Sequence, residues 1–188
     1  MYKRQGTHYV VIDAKQVPSH SALVNWLADE TTEKVVYDAK KTYALAARLD
    51  IEINGITFDA MLASYLIDPS HTIEDVHSVM TEYQQNYVRS DVQIYGKGKK
   101  RQIPEDDTLN YHVATILESV DQSQPRMLEI LESHNQRALL TDLELPLARI
   151  LSKMEVRGIY TDVTDLQDME TEIPVSYTHL TLPTSDLV

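Results

Sequence analysis

Residues 34–69 carry the clearest alternation of apolar and polar positions, and the pattern predicts strand, helix, strand and helix in that order. Val35-Val36-Tyr37 is a short β-branched and aromatic run, which is typical of a strand. Apolar residues within residues 39–49 then recur at close to helical spacing. The first half of this stretch is therefore predicted to be a strand followed by a helix.

The second half of the stretch begins with Asn54-Gly55, a dipeptide that is typical of a turn. Residues 56–58 form a second predicted strand, and Asp59 stands where the N-cap of a helix over residues 60–67 belongs. Asp38 holds the matching place after the first strand. Two strands that each end in an aspartate at the start of a helix could hold metal ions. The alternative is that each aspartate only caps its helix.

Outside this stretch the pattern predicts one more strand and a series of helices. The strand covers residues 8–12. The predicted helices run from a cap at Ser19 or Ser21 to residue 30, from Thr72 to about residue 83, from residue 106 or 107 to about 120, from Pro125 to about 140, from 144 to 157, and onward from about 163. Thr72 and Asp75 resemble a capping box. Pro125 is predicted to separate two helices, and Gly158 to end the long one.

Composition limits the class of protein. The chain has 188 residues, is 43% hydrophobic and carries a net charge of −12, so it can bury a core but lacks the overall positive charge of an autonomous nucleic-acid binder. It contains no cysteine, which excludes disulfides and thiolate metal sites. No apolar run approaches the roughly 20 residues of a membrane span. We expect a cytoplasmic protein that makes no membrane contact.

Four motifs resemble one family in the same order. GITFDAMLASYLIDP, TIEDV, YGKGKKRQIP and LELPLARILSKMEVRGIYTD are similar to the 3′–5′ exonuclease region of bacterial family A DNA polymerases, in the form found in Bacillus and lactobacillus relatives. The resemblance covers about residues 6–173. It implies an α/β, RNase H-like fold of the DnaQ type that lacks its first strands and is followed by the first helices of the polymerase domain.

The resemblance also implies domain boundaries. Residues 6–141 are expected to form the exonuclease-like domain, and residues 142–173 the start of the polymerase domain. The two ends, residues 1–5 and 174–188, resemble translated sequencing-adapter sequence and are predicted to be artefacts. We therefore expect the native protein to continue in both directions.

Active members of this family hold two divalent metals with four carboxylates. The resemblance places the family's Asn-x-x-x-Asp motif on residues 38–42, so that Asp38 takes the Asn position and Thr42 the ligand position. It places the Tyr-x-x-x-Asp motif on residues 112–116, so that His112 replaces the tyrosine and Ile116 the ligand. A register shifted by one pairs Tyr111 with Thr115, which also supplies no acid.

The remaining ligands of the family are an Asp-x-Glu pair on its first strand. Asp13 ends the predicted strand 8–12, but Ala14-Lys15 follows it and no second acid does. The spacing from Asp13 to Asp38 leaves room for only one helix, so the strand matches a later strand of the family. The Asp-x-Glu pair is therefore expected upstream of this sequence. The degenerate metal-site positions are Asp38, Thr42, His112 and Ile116, and no catalytic or metal-binding residue is predicted.

One dense basic segment indicates a different function, which is contact with DNA. Lys97, Lys99, Lys100 and Arg101 are interleaved with Gly96 and Gly98, which could let the backbone approach a DNA phosphate. The alternative is an ordinary solvated loop, since three acids follow at residues 105–107.

Three functions follow from these observations. The first is a non-catalytic exonuclease-like domain that supports a DNA polymerase. The second is an active two-metal proofreading exonuclease with other carboxylates, and the third is a DNA-binding module centred on residues 97–101. The expected partners are the polymerase domain of the same chain and, through it, DNA, in a monomer. We expect no cofactor here, and Mg²⁺ only in the polymerase domain.

Overall fold

The structure, a computed structural model, describes residues 2–4, 7–73 and 75–170. The chain divides into two units, Met1–Val156 and Arg157–Val188. The described part of the second unit includes a helix over residues 163–170, which agrees with the predicted helix that begins near residue 163.

The bounds of the elements follow in chain order. They are β1 (Tyr2–Arg4), β2 (Thr7–Tyr9), a 3₁₀ helix (Ala14–Ser19), α1 (Ser21–Ala28), β3 (Lys34–Val36), α2 (Ala39–Arg48), β4 (Ile56–Asp59), α3 (Ala60–Ile67), α4 (Val76–Glu82), α5 (Asp91–Tyr95), a second 3₁₀ helix (Gly98–Lys100), α6 (Asp106–Ser133), α7 (Arg137–Leu139), a π-helical segment (Leu140–Glu144) and α8 (Leu145–Arg157).

Strands β3 and β4 form a parallel pair joined by α2, which confirms the prediction for residues 34–69. Val35 lies opposite Phe58 and Val36 opposite Asp59, with an irregularity between Lys34 and Val35. Because parallel strands end at the same edge of a sheet, the loop that starts α2 and the loop that starts α3 lie side by side. This edge positions the candidate site.

Strand β2 is shorter than predicted. It ends at Tyr9 because it pairs with β1, which is itself only three residues long, and residues 10–13 form no strand. Asp13 does not end a strand; its carboxylate accepts a hydrogen bond of 2.8 Å from the Lys15 N–H and caps the first 3₁₀ helix. Residues 2–4 belong to the end that was predicted to be an artefact, and their origin stays a prediction.

The core lies between β4, α3, α4 and α6. Its most deeply buried members are apolar side chains that these elements and the π-helical segment bring together, namely Phe58, Ala60, Ala63, Val79, Met80, Met127, Leu131 and Leu140. Burial of such side chains supplies the main favourable term in folding.

Helix α6 is continuous, so the predicted break at Pro125 is wrong. The helix runs for 28 residues with Pro125 inside it, although proline removes one backbone hydrogen bond. Buried side chains lie on both sides of the proline, with Val120 before it and Met127 and Leu131 after it. Because both halves pack into the same core, tertiary contacts hold the helix together where its local sequence favours a break.

Helix α4 begins later in the chain than predicted, because its N-cap is Asp75 and not Thr72. Asp75 is the N-cap, and its partner in the capping box is Ser78 rather than Thr72. The Ser78 N–H donates to the Asp75 carboxylate over 3.0 Å, and the Asp75 N–H donates to the Ser78 hydroxyl over 3.3 Å. The helix therefore starts at Val76.

Helix α8 closely follows its prediction. It ends at Arg157, and Gly158 follows with φ of +69°, the left-handed conformation of a C′ glycine. Within the described residues, no helix is both long and apolar enough to span a membrane.

Candidate functional site

A cleft of about 420 Å³ opens where α2 and α3 begin, opposite the first turns of α6. Its polar lining includes Asp38, Lys41, Asp75, Asp91, Arg101 and His112. The carboxylates come from the starts of α2, α4 and α5, because acidic residues are favoured at helix N-termini. The cleft therefore combines three carboxylates with two cations.

The structure brings most of the degenerate metal-site positions to this cleft. Asp38, His112 and Ile116 line it, whereas Thr42 lies one turn into α2 and does not. Arg101 of the basic segment also lines the cleft, but Lys97, Lys99 and Lys100 do not. That proximity could not be predicted from the sequence, because the loop and α2 are far apart along the chain.

Asp38 is the N-cap of α2. It adopts a left-handed conformation with φ of 66°, which aspartate tolerates better than most residues, and its carboxylate accepts the Lys41 N–H over 2.9 Å. Its carbonyl accepts the hydroxyl of Thr42 over 2.9 Å. The hydroxyl at the predicted ligand position is thus used within its own helix.

His112 and Ile116 lie one turn apart on α6. His112 is only 2% exposed, and neither ring nitrogen has a hydrogen-bond partner among the described residues. Its ring meets the ring of Tyr95 edge-on at a centroid distance of 6.1 Å. Burial lowers the pKa of His112, although Asp91 opposes the shift. The imidazole is therefore neutral at pH 7, and its unpaired nitrogens make it an unusual core residue.

Asp75 joins two helices at the edge of the cleft. One carboxylate oxygen accepts the Ser78 N–H that begins α4, and the other accepts the Asp91 N–H over 2.8 Å at the start of α5. Both oxygens therefore make structural hydrogen bonds to the backbone.

Asp59 lies behind the cleft, fully buried, and accepts N–H groups from the starts of two helices. The N-cap bonds that were predicted for α3 are present, from Met61 over 2.9 Å and from Leu62 over 3.4 Å. Asp38 and Ala39 at the start of α2 also donate, over 3.0 and 2.6 Å. Burial raises the pKa of Asp59, and these N–H donors partly offset the shift.

These residues do not fit a pair of divalent cations. Hard divalent cations are held by several oxygen ligands, and protein carboxylates supply the negative charge among them. Ile116 offers no donor atom, and the hydroxyl of Thr42 is neutral and turned to the backbone. Across residues 2–4, 7–73 and 75–170, no group of three or more acids or histidines is placed to hold a metal ion.

The basic loop is held in a defined turn. Gly96 has φ of +79°, and a Cβ there would lie 2.8 Å from the carbonyl oxygen of Lys100. The Gln102 N–H closes the turn on the Tyr95 carbonyl over 2.8 Å. Arg101 rests with its guanidinium 5.7 Å from the Tyr95 ring centroid. All four predicted cations are exposed, and Arg101 connects the loop to the cleft.

Comparison with known proteins agrees with the fold. The family model described as "DNA polymerase I, ribonuclease H-like domain" matches residues 1–123. DNA polymerase I of Geobacillus stearothermophilus is 38% identical over 148 residues, and that of Bacillus subtilis is 35% identical over 148 residues. In each case the match covers 79% of this chain and 17% of the relative. The chain thus spans about a sixth of the length of these relatives.

More distant similarities point to the same family. DNA polymerase I of Mycobacterium bovis is 26% identical over 159 residues, covering 81% of this chain and 17% of the relative. The solved structure titled "POL domain of Pol1 from M. smegmatis complex with DNA primer-template and dNTP" matches with a TM-score of 0.60 and 25% identity, covering 81% of this chain and 24% of that chain. The α/β, RNase H-like fold is confirmed. The chain belongs to the DNA polymerase I family, in which it corresponds to the ribonuclease H-like, exonuclease-like domain.

Proposed function

We propose that this chain is a non-catalytic exonuclease-like domain of a DNA polymerase I, and that its role is to support the polymerase domain of the same chain. The observation that carries the proposal is the state of the two ligand positions. Thr42 bonds to the carbonyl of Asp38 within its helix, and Ile116 carries no donor atom. In this proposal the domain keeps the fold of the family but lacks the side chains that would bind the catalytic metals.

Two-metal hydrolysis depends on both ions. One metal activates the attacking water and the other stabilises the leaving oxygen, so the loss of one carboxylate ligand is severe. Asp75, one of the three acids that line the cleft, has both oxygens bonded to backbone N–H groups. A metal that bound Asp75 would compete with the bonds that start α4 and α5. Because no group of three or more acids or histidines in the described part of the chain is placed to hold a metal ion, an active exonuclease built on other carboxylates is disfavoured.

The proposed architectural role rests on buried and partly buried aspartates that each connect the starts of two helices. Asp59 joins the starts of α2 and α3, and Asp75 joins those of α4 and α5. The cleft therefore has a rigid rim made of helix starts. In this proposal, DNA and Mg²⁺ are engaged by the polymerase domain of the parent, which acts as a cytoplasmic monomer in DNA replication and repair.

The test is an exonuclease assay on the purified full-length polymerase. Single-stranded DNA labelled at its 5′ end is incubated with Mg²⁺ or Mn²⁺ without nucleotides, and shortening from the 3′ end is followed on a gel. We expect no shortening, while primer extension by the same preparation shows that the protein is folded. Metal-dependent 3′ shortening that co-purifies with the polymerase would overturn the proposal.

A second candidate function is contact with a DNA backbone through the basic loop. The observation that favours it is the exposure of all four cations, with Arg101 held against Tyr95. Neutralising Lys97, Lys99, Lys100 and Arg101 to glutamine in the full-length protein should then weaken DNA binding and flatten its dependence on salt. Lys15→Gln with Lys153→Gln, which changes two distant exposed lysines, is the control. Unchanged affinity at low salt would dispose of this candidate.

A further inference from the structure

Asn54, which stands with Gly55 directly before β4, caps the end of α1 from outside that helix. It is only 6% exposed. Its backbone N–H donates to the carbonyl of Leu27 over 2.9 Å, and its side-chain NH₂ group donates to the carbonyl of Ala28 over 2.9 Å. Both carbonyls belong to the last turn of α1, where a helix leaves its acceptors unpaired. The side-chain nitrogen of Asn54 is therefore fixed by α1.

The side-chain oxygen of Asn54 is fixed by α8. Arg149 donates to it over 2.8 Å, across 95 residues of sequence. The guanidinium is itself held by two more groups, because it lies 5.7 Å from the ring centroid of Tyr43 and 3.8 Å from a carboxylate oxygen of Glu52. Both ends of the Asn54 amide are thus bonded, one as a donor and the other as an acceptor.

Gly55 is required by its conformation and by the space around it. Its φ is +71°, and a Cβ there would lie 2.4 Å from the carbonyl oxygen of Thr32 and 3.1 Å from that of Glu30. No other residue fits that position without a shift of the backbone. Because the amide must donate at one end and accept at the other, the fold requires asparagine followed by glycine at this turn.

An asparagine followed by glycine is prone to deamidation. Asparagine is a thermolabile residue, and glycine, which has no Cβ, leaves its own backbone nitrogen free to approach the preceding side chain. That nitrogen gives its proton to water and bonds to the amide carbon Cγ, while the bond from Cγ to the amide nitrogen breaks and ammonia leaves. Water then opens the cyclic imide to aspartate or isoaspartate. The net reaction consumes one water molecule and releases one ammonia.

We propose that Asn54 is a deamidation site, and that the hydrogen bond from Arg149 slows the reaction in the folded chain. The attack turns the planar amide into a tetrahedral carbon and expels the nitrogen that is bonded to Ala28. The bonds to Ala28 and Arg149 hold the planar amide in one orientation and resist that change. A guanidinium beside a carbonyl oxygen can also stabilise an oxyanion, so the direction of the Arg149 effect decides the proposal.

The modification would loosen the turn. Aspartate cannot donate to the carbonyl of Ala28, and isoaspartate adds a carbon atom to the backbone directly before Gly55. The carbonyl of Gly55 accepts the Lys34 N–H over 2.7 Å, and this bond joins the start of β4 to β3. Deamidation would therefore weaken the attachment of α1 and the pairing of β3 with β4 as the protein ages. This inference does not depend on the proposed function.

Mass spectrometry of the ageing protein tests the proposal. The 188-residue chain is incubated at mildly alkaline pH, with and without denaturing urea, and the deamidated fraction at Asn54 is followed in digests. We expect the folded wild type to react at least about tenfold more slowly than the unfolded chain, and Arg149→Ala to react about tenfold faster than the folded wild type. Lys153→Ala removes another cation of α8 that lines the same cavity and should leave the rate unchanged.

Hydrogen exchange at the N–H of Leu131, which is buried in the core, is measured in the same samples and should be unchanged in Arg149→Ala. Equal rates at Asn54 in folded and unfolded wild type, or in Arg149→Ala and Lys153→Ala, would overturn the proposal. A slower reaction in Arg149→Ala would also overturn it, because the guanidinium would then promote the attack. So would a faster reaction matched by faster exchange at Leu131, since the variant would then act by unfolding the whole domain.

Discussion

The Ala39 N–H donates a hydrogen bond of 2.6 Å to the buried carboxylate of Asp59, twenty residues away along the chain. The same carboxylate accepts the N–H of Met61 at the start of its own helix. One side chain therefore stabilises the N-termini of both α2 and α3 by satisfying donors that a helix start leaves unpaired. Both helices contribute to the cleft, so its shape depends on this residue.

We expect Asp59→Asn to destabilise the protein strongly. The amide has only one acceptor oxygen, and its NH₂ group would face an N–H donor of Ala39 or Met61. Losing bonds at two helix starts in a buried site should lower the free energy of unfolding by about 2–4 kcal/mol. Urea denaturation measures the change. Asp13→Asn, at the exposed cap of the first 3₁₀ helix, is the control and should change stability little.

The contribution of Asp59 should also depend on pH. Its pKa is raised in the folded state by burial, so folding favours the protonated acid. The stability that this shift contributes is full below the pKa of the unfolded chain and is lost as the pH rises through the folded pKa. The stability gap between the wild type and Asp59→Asn should therefore narrow from low to neutral pH. A gap that widens over that range would contradict the assigned direction.

The capping of α3 by Asp59 could be predicted from the sequence, but the bond from Asp59 to the start of α2 could not. A capping aspartate can be recognised from its own neighbours, so the role of Asp59 in starting α3 was predicted and is confirmed. The bond to Ala39 depends on the parallel pairing of β3 with β4, which places two distant loops together. The bond from Asp91 to Asp75 was missed for the same reason.

The residues that line the cleft could likewise be predicted only in part from the sequence. Alignment with a family motif identified Asp38, His112 and Ile116, which the fold brings to one cleft. Their roles stay predictions. The sequence could not show that Arg101 joins them, because the turn at Gly96 and the contact with Tyr95 set its position. Nor could it show that both His112 nitrogens lack partners within residues 2–4, 7–73 and 75–170, since that depends on side chains from other helices.

His112 leads to a prediction about stability. Because no residue in the described part of the chain bonds to its buried nitrogens, replacement by an apolar ring of similar shape removes two unsatisfied polar groups. We expect His112→Phe to leave the free energy of unfolding unchanged or to raise it by about 1 kcal/mol. Denaturation at pH 8 measures this. A loss larger than about 1 kcal/mol would mean that the imidazole has a structural partner after all.

The same variant should remove a sensitivity to acid. The pKa of His112 is lowered by burial, so its contribution to stability is present above the pKa of the unfolded chain and is lost as the pH falls towards the folded value. The wild type should therefore lose more stability than His112→Phe as the pH falls below about 6.5. Parallel pH profiles of the two proteins would contradict this prediction.

Pro125 shows how packing can override a local signal. Proline inside a helix removes one hydrogen bond and crowds the preceding turn, yet α6 continues through it because Val120 and Met127 are buried on either side. Pro125 is itself exposed, so burial of its ring offsets little of that cost. The helix should therefore gain from its removal.

We expect Pro125→Ala to raise the free energy of unfolding by about 1–3 kcal/mol, because alanine restores the missing N–H and is the best helix former. Urea denaturation gives the magnitude, and far-ultraviolet circular dichroism should show unchanged or slightly higher helix content. Asp121→Ala, at another exposed position of α6, separates the general benefit of alanine from the effect of removing proline. A Pro125→Ala protein no more stable than Asp121→Ala would mean that the helix already accommodates the ring without strain.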